Sequence, residues 1–209
     1  MERRYRGNFL NSLGGFKSAV LVGTADFQGQ CNLAIFNSLF HVGADPALWG
    51  MVVRPCVPGR NTLGNILSTE VFTLNHITPS MMERAHQCSA KYPEGVSEFD
   101  QVGFEPEFLE GCNAPFVRES VIKIGCQLVQ TTDIPFNGTT LVLGKITHIE
   151  IPSDVLMEDG FVNLMNGGSL ASSGLDGYAT LSEIKRLSYA KVSTPPQLIF
   201  QQNKDQKDS

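Results

Sequence analysis

The sequence predicts a mainly β chain with short helices, folded as an antiparallel barrel or sandwich, and three observations support this. About five or six apolar, β-rich runs stand at hairpin spacing instead of alternating with long helical stretches. The 20 glycines and 11 prolines among 209 residues divide the chain into short elements, which disfavours a helical bundle. Neither a G-x-G-x-x-G turn nor a P-loop marks the parallel sheet of a nucleotide-binding α/β fold. At this length a single domain over residues 1–209 is expected, able to bury a core without staples. Its core spans about 14–151, followed by an elaboration over 152–195 and a polar, fraying tail over 196–209.

The run FKSAVLVGTAD (Phe16 to Asp26), the turn-forming DFQGQ and the run CNLAIFNSLFHV predict a first hairpin. Ala47 to Val53 predicts a third strand, ended by Arg54-Pro55 and Pro58-Gly59, because proline cannot donate to a ladder and restricts its predecessor. Leu63, Ile66 and Leu67 recur at helical spacing behind Asn61, so a short helix follows. Val71 to Ile77 reads as a strand. Thr78-Pro79-Ser80 then starts a helix with Ser80 and Glu83 in capping-box spacing and an apolar stripe of Met81, Met82, Ala85 and Cys88. Between Tyr92 and Pro115 a Gly-, Pro- and aromatic-rich excursion holds at most a helical turn near Ser97–Gln101. Val121–Thr131 and Thr140–Ile151 flank Asn137-Gly138, the clearest hairpin signal in the chain.

A formal charge of −5 argues against a surface built to neutralise nucleic-acid phosphates, so any anion must be held locally. The start MERRYR is followed by no apolar leader segment, and no run approaches the roughly 20 apolar residues that span a bilayer. A cytoplasmic protein independent of membranes is expected. The five cysteines (Cys31, Cys56, Cys88, Cys112, Cys126) show no Cys-x-x-Cys or Cys-x-x-His spacing, and the histidines no metal-ligand pattern. Structural thiols and no metal site are expected, and His41, His76, His86 and His148 read as hydrogen-bonded structural histidines. No serine stands in a G-x-S-x-G context, and no catalytic acid or base can be named.

Two segments could hold a ligand. In Asn32–Ser38 a strongly apolar strand ends in amides and a hydroxyl, which with the backbone could meet a planar heterocycle; the plain alternative for Asn37-Ser38 is a strand end or turn. Arg54 with Arg60, Asn61 and Thr62 at a predicted helix start brings guanidinium donors, a hydroxyl and free N–H groups together, a fit for phosphate; the alternative is a solvated arginine pair beside an ordinary cap. Lys91-Tyr92 and Glu98-Phe99 could rim such a site, or simply pin their loop.

In order along the chain, NLAIFNS (Asn32–Ser38), Asp45-Pro46, Arg60-Asn61-Thr62-Leu63-x-Asn65-Ile66, Phe72-x-x-Asn75, Gly103-Phe104-Glu105-Pro106 and Ala114-Pro115-Phe116-Val117-x-Glu119-Ser120 resemble the flavin reductase-like, FMN-binding split-barrel family. Each motif is loose, and the ordered series, from about Gly14 to Ile151, carries the resemblance. It implies a six-stranded Greek-key split barrel, a homodimer, and FMN held near the dimer interface. Asn32, Ala34 and Ser38, with Phe36 and Asn37 between them, match the strand bordering the flavin. Arg60, Asn61 and Thr62 match the segment on the phosphate, and Arg54 the basic residue before it. The chain departs from the family in Asn61 for a common aspartate, in Phe36-Asn37 for a proline or small residue, and in the long Tyr92–Phe99 excursion. The implied activity is hydride transfer from NADH or NADPH to flavin; the alternative is a non-catalytic barrel that binds flavin or another phosphorylated ligand.

Overall fold

The computed structural model describes residues 1–55, 61–93 and 95–203. Helix α1 (Arg3–Ser12) precedes strands β1 (Phe16–Ser18), β2 (Val20–Ala25), β3 (Cys31–Phe36), β4 (Phe40–Ala44) and β5 (Ala47–Val53). Then come α2 (Thr62–Thr69), β6 (Val71–His76), a 3-10 turn over Pro79–Met81, α3 (Met82–Gln87) and α4 (Glu98–Val102). Strands β7 (Pro106–Glu107), β8 (Phe116–Val117), β9 (Lys123–Ile134) and β10 (Thr139–Glu150) follow. The chain closes with β11 (Leu170–Ser173), β12 (Gly177–Thr180), β13 (Glu183–Leu187) and β14 (Leu198–Asn203).

The main sheet has seven strands in the order β3-β2-β6-β9-β10-β5-β4, every neighbouring pair antiparallel. Its two edge strands, β3 and β4, are joined by Asn37, Ser38 and Leu39 alone. Seven flat strands would set those edges about 29 Å apart, whereas four Cα steps span at most about 14 Å. The sheet therefore coils until its edges approach, and Ser38 marks the approach: its Oγ donates to Val52 O at 2.9 Å and accepts from Val52 N at 3.1 Å.

Strand β2 is buried along its whole length because both faces are covered. Val20 and Val22 point into the coil with Met51, Val53, Phe72, Leu74, Ile124, Cys126 and Val142. Leu21 points outward and packs with Ile77, Met81, Ala85, Phe99 and Phe104, the layer that α3 and α4 bring onto the sheet. The predicted stripe on α3 and the turn before it thus finds its partner, with Met81, Ala85 and Cys88 buried and Met82 packed at the margin. Gly23 is required where the 113–117 segment crosses β2, since a Cβ there would lie 2.1 Å from Pro115 O and 2.6 Å from Thr73 Oγ1.

Both predicted hairpins form, as β2–β3 and β9–β10. Several expectations change. The sheet carries seven strands where the resemblance implies six. No side chain caps the 3-10 turn or α3 through the Ser80/Glu83 box; Thr78 Oγ1 meets Ser80 Oγ at 3.0 Å instead. Helix α1 has no buried residue, so its sequence lacked the core-facing stripe by which a helix is read. Residues 198–203, expected to fray, pair as β14 with β13, and Gln202 Oε1 accepts from Asn163 Nδ2 at 2.6 Å. Among the described residues no helix is long and apolar enough to cross a membrane.

Candidate functional site

A cleft of about 830 Å³ opens on the described surface, within the size range of small-molecule sites. Its walls come from the outer edge of β3, the end of β5, the start of α2, the end of α3, and β11–β12, with α1 above. Asn32, Ala34, Phe36, Asn37, Ser38, Arg54 and Thr62 all line it. Asn61 lies apart, in a polar dent of about 10 Å³ shared with Asp26, Gln30 and Asn65. Arg60 and Cys56 fall outside the described residues.

Burial and partners assign these side chains different tasks. Asn32 is buried, and its Nδ2 donates to Thr62 Oγ1 at 3.1 Å and to Thr24 Oγ1 at 3.3 Å; Asn65 Nδ2 reaches the same Thr24 oxygen at 3.1 Å. The amide thereby ties the first turn of α2 to β3. Thr62 accepts that bond, and its own hydroxyl hydrogen has no acceptor among the described residues. Asn61, at the N-cap of α2, makes no side-chain cap hydrogen bond, and the opening N–H groups of the helix, with Thr62 and Leu63 on the cleft wall, carry the positive end of its dipole. Exposed Arg54 stands on the same wall. This end of the cleft is suited to an anion.

Along its length the cleft borders the edge of β3 that no strand covers. Leu33 N donates to Glu98 Oε2 at 3.1 Å, and the alternation of backbone groups turns those of Ile35 to the same side. A planar ligand with amide-like edges would find main-chain donors and acceptors there. At the far end Asn37 Nδ2 donates to Gly174 O at 2.7 Å, in a turn that needs the left-handed φ of +67° at Gly174. Asn37 and Ser38, read from the sequence as possible ligand donors, thus spend these polar groups on building the walls.

Residues that sequence reasoning did not place in the site include Lys17, Tyr178 and His86, whose Nδ1 lies 2.9 Å from Tyr178 OH. No local pattern could have paired them, because the two are 92 residues apart. The Tyr92–Phe99 excursion is anchored to the barrel: Gln30 Nε2 donates to Gly95 O at 2.7 Å, Gln87 Nε2 to Tyr92 OH at 3.2 Å, and Phe99 is buried in the core. Of the proposed rim, only Glu98 reaches the cleft lining.

His76, His148, Cys88 and Cys126 are packed into the fold. His76 Nδ1 meets Ser169 Oγ at 3.0 Å, and burial pushes its pKa down to about 4. His148 packs against Phe116 with ring centroids 5.7 Å apart. Burial pushes the Cys88 and Cys126 thiols up to about 12, so neither is a nucleophile at neutral pH. Among the described residues no group of three or more His, Cys, Asp or Glu side chains could hold a metal ion.

Comparison with known proteins adds to this geometry. Residues 13–167 match the family model for a flavin reductase like domain. A candidate flavin reductase with a split barrel domain from Shewanella frigidimarina is 44% identical and superimposes with a TM-score of 0.87 over 91% of this chain and 94% of its own. The flavoredoxin of Desulfovibrio vulgaris is 19% identical, with a TM-score of 0.71 over 85% of this chain and 91% of its own. An FMN-binding protein from Thermus thermophilus, solved with 1-cyclohex-2-enone, is 16% identical, with a TM-score of 0.62 over 79% and 86%. The last two share the fold. The coiled, open sheet is a split β-barrel.

Proposed function

We propose that this chain, which belongs to the flavin reductase-like family, is a flavin oxidoreductase that binds FMN in the 830 Å³ cleft and takes reducing equivalents from NADH or NADPH. The observation that carries the reading is the asymmetry of the cleft. One end offers the start of α2, the Thr62 hydroxyl and Arg54, while the long wall offers the edge of β3 that no strand covers. A ligand with a phosphate at one end and a planar, amide-edged ring at the other matches both.

Bound FMN supplies the hydride-accepting chemistry, and the protein needs only to hold, orient and shield. Arg54 and Thr62, with Arg60 assigned by its motif, hold the phosphate. Asn32 keeps Thr62 in place, and Glu98, by engaging Leu33 N, fixes the β3 edge against which the ring lies. Ala34 and Phe36 supply apolar wall. None of these tasks asks for an acid or base.

Titration of FMN and riboflavin by fluorescence quenching tests the assignment. Arg54→Ala and Arg60→Ala should each weaken FMN by about 10- to 100-fold, the loss of one charge-assisted bond, and leave riboflavin within about threefold. Equal losses for both ligands would place the phosphate elsewhere.

A further inference from the structure

His86 lies in the last turn of α3 and Tyr178 in β12, and both line the cleft. The Nδ1–OH distance of 2.9 Å comes with an edge-on ring contact, centroids 5.8 Å apart and planes at 88°. Both side chains are half-buried. Burial, with Asp176 nearby, pushes the Tyr178 phenol upward, so it keeps its proton; the 2.9 Å contact accommodates either imidazole tautomer, and in one of them the phenol donates to Nδ1. In that tautomer the imidazole hydrogen sits on Nε2, which makes no hydrogen bond to any described residue.

The register places this pair away from the anion end. Asn32, at the start of β3, is bonded to Thr62 of α2, and Asn37, just past its other end, is bonded to Gly174. Five residue steps of extended chain separate them by about 17 Å. Tyr178 is the register partner of Ser172, two residues from Gly174, and Ser172 pairs in turn with Lys17. At about 830 Å³ the cleft is near the upper end for a single-ligand site, which leaves room for a second ring beside the first.

We propose that His86, held by Tyr178, is the hydrogen-bond donor that orients the second substrate, a planar ring carrying an amide or carbonyl oxygen. The proposal rests on the flavin reading above. Nε2–H donates to that oxygen, and Tyr178 acts as a positioning residue that fixes the tautomer and the ring plane. The carboxamide of a nicotinamide and the ring carbonyls of a free flavin acceptor share this chemistry, and the two half-reactions separate them.

The test uses FMN-loaded wild type, His86→Ala, His86→Gln and Tyr178→Phe. FMN affinity is read by fluorescence, binding of oxidised NAD⁺ and NADP⁺ by calorimetry, anaerobic reduction against NADH and NADPH concentration, and reoxidation against added free FMN. We expect bound-FMN affinity within twofold of wild type in every variant. His86→Ala should raise the dissociation and Michaelis constants about 10-fold for the nicotinamide nucleotide, or the Michaelis constant for free FMN, with little change in kcat. His86→Gln, which keeps an N–H donor, should recover part of that loss, and Tyr178→Phe should lose several-fold. Second-substrate constants within twofold of wild type in both His86→Gln and Tyr178→Phe, with His86→Ala either unchanged or unfolded, would overturn the proposal. So would a parallel loss of FMN affinity, which would assign the pair to the flavin itself. Wild-type protein that takes up no flavin would instead overturn the underlying reading.

Discussion

At Asn32 and Ser38 the protein itself engages polar groups that the sequence offers to a ligand. Their residue types, amide and hydroxyl in an apolar strand, were legible as unusual; their partners were not, since Thr62 and Val52 become neighbours only when the sheet coils. Ser38→Ala should leave the N–H and C=O of Val52 without partners in a half-buried position and cost about 1–3 kcal/mol, read as a lowered urea midpoint at unchanged m-value. His76 was read correctly as structural, and its consequence is a pH dependence. Its pKa is about 4 when folded against an ordinary value near 6.5, so the unfolded chain binds the extra proton first as pH falls. This contribution is fully present above pH 6.5 and is lost as pH drops toward 4, a total on the order of 3 kcal/mol. Denaturation of His76→Gln at pH 7.5 and 5 should show a smaller acid loss than wild type; an identical loss would mean that His76 stays uncharged in both states.

Elements were legible where local chemistry and tertiary packing agree. Asn137-Gly138 between two β-rich runs specified β9–β10, and the proline-bounded Ala47–Val53 run was read to the residue as β5. Helix α1 and strands β11–β14 were not read as elements. The helix buries nothing, and the closing strands are short and mixed in polarity, so neither shows a clean period of 3.6 or 2. Packing between elements was equally invisible at Gly23, an ordinary glycine in an apolar run until the 113–117 segment is laid across it. Gly23→Ala should destabilise by about 3 kcal/mol or more, because the blocking atoms are the Pro115 backbone and a bonded Thr73 hydroxyl. A thermal midpoint within 2 °C of wild type would show that the crossing can open at little cost.

At the scale of the whole molecule, large apolar side chains stand exposed among the described residues: Tyr5, Phe9 and Leu10 on α1, and Phe136 at the tip of β9–β10, which is fully exposed. This supports the homodimer implied by the family resemblance, and light scattering at micromolar concentration should return twice the chain mass. The central claim concerns the cleft and is tested most directly by anaerobic titration of the FMN-loaded protein with NADH and with NADPH. At least one of them should bleach the oxidised flavin absorbance with a stoichiometry of one nucleotide per bound flavin, and admitted air should restore it. A flavin that binds one to one yet stays oxidised through excess of both nucleotides would contradict the account and leave a flavin-holding barrel without turnover.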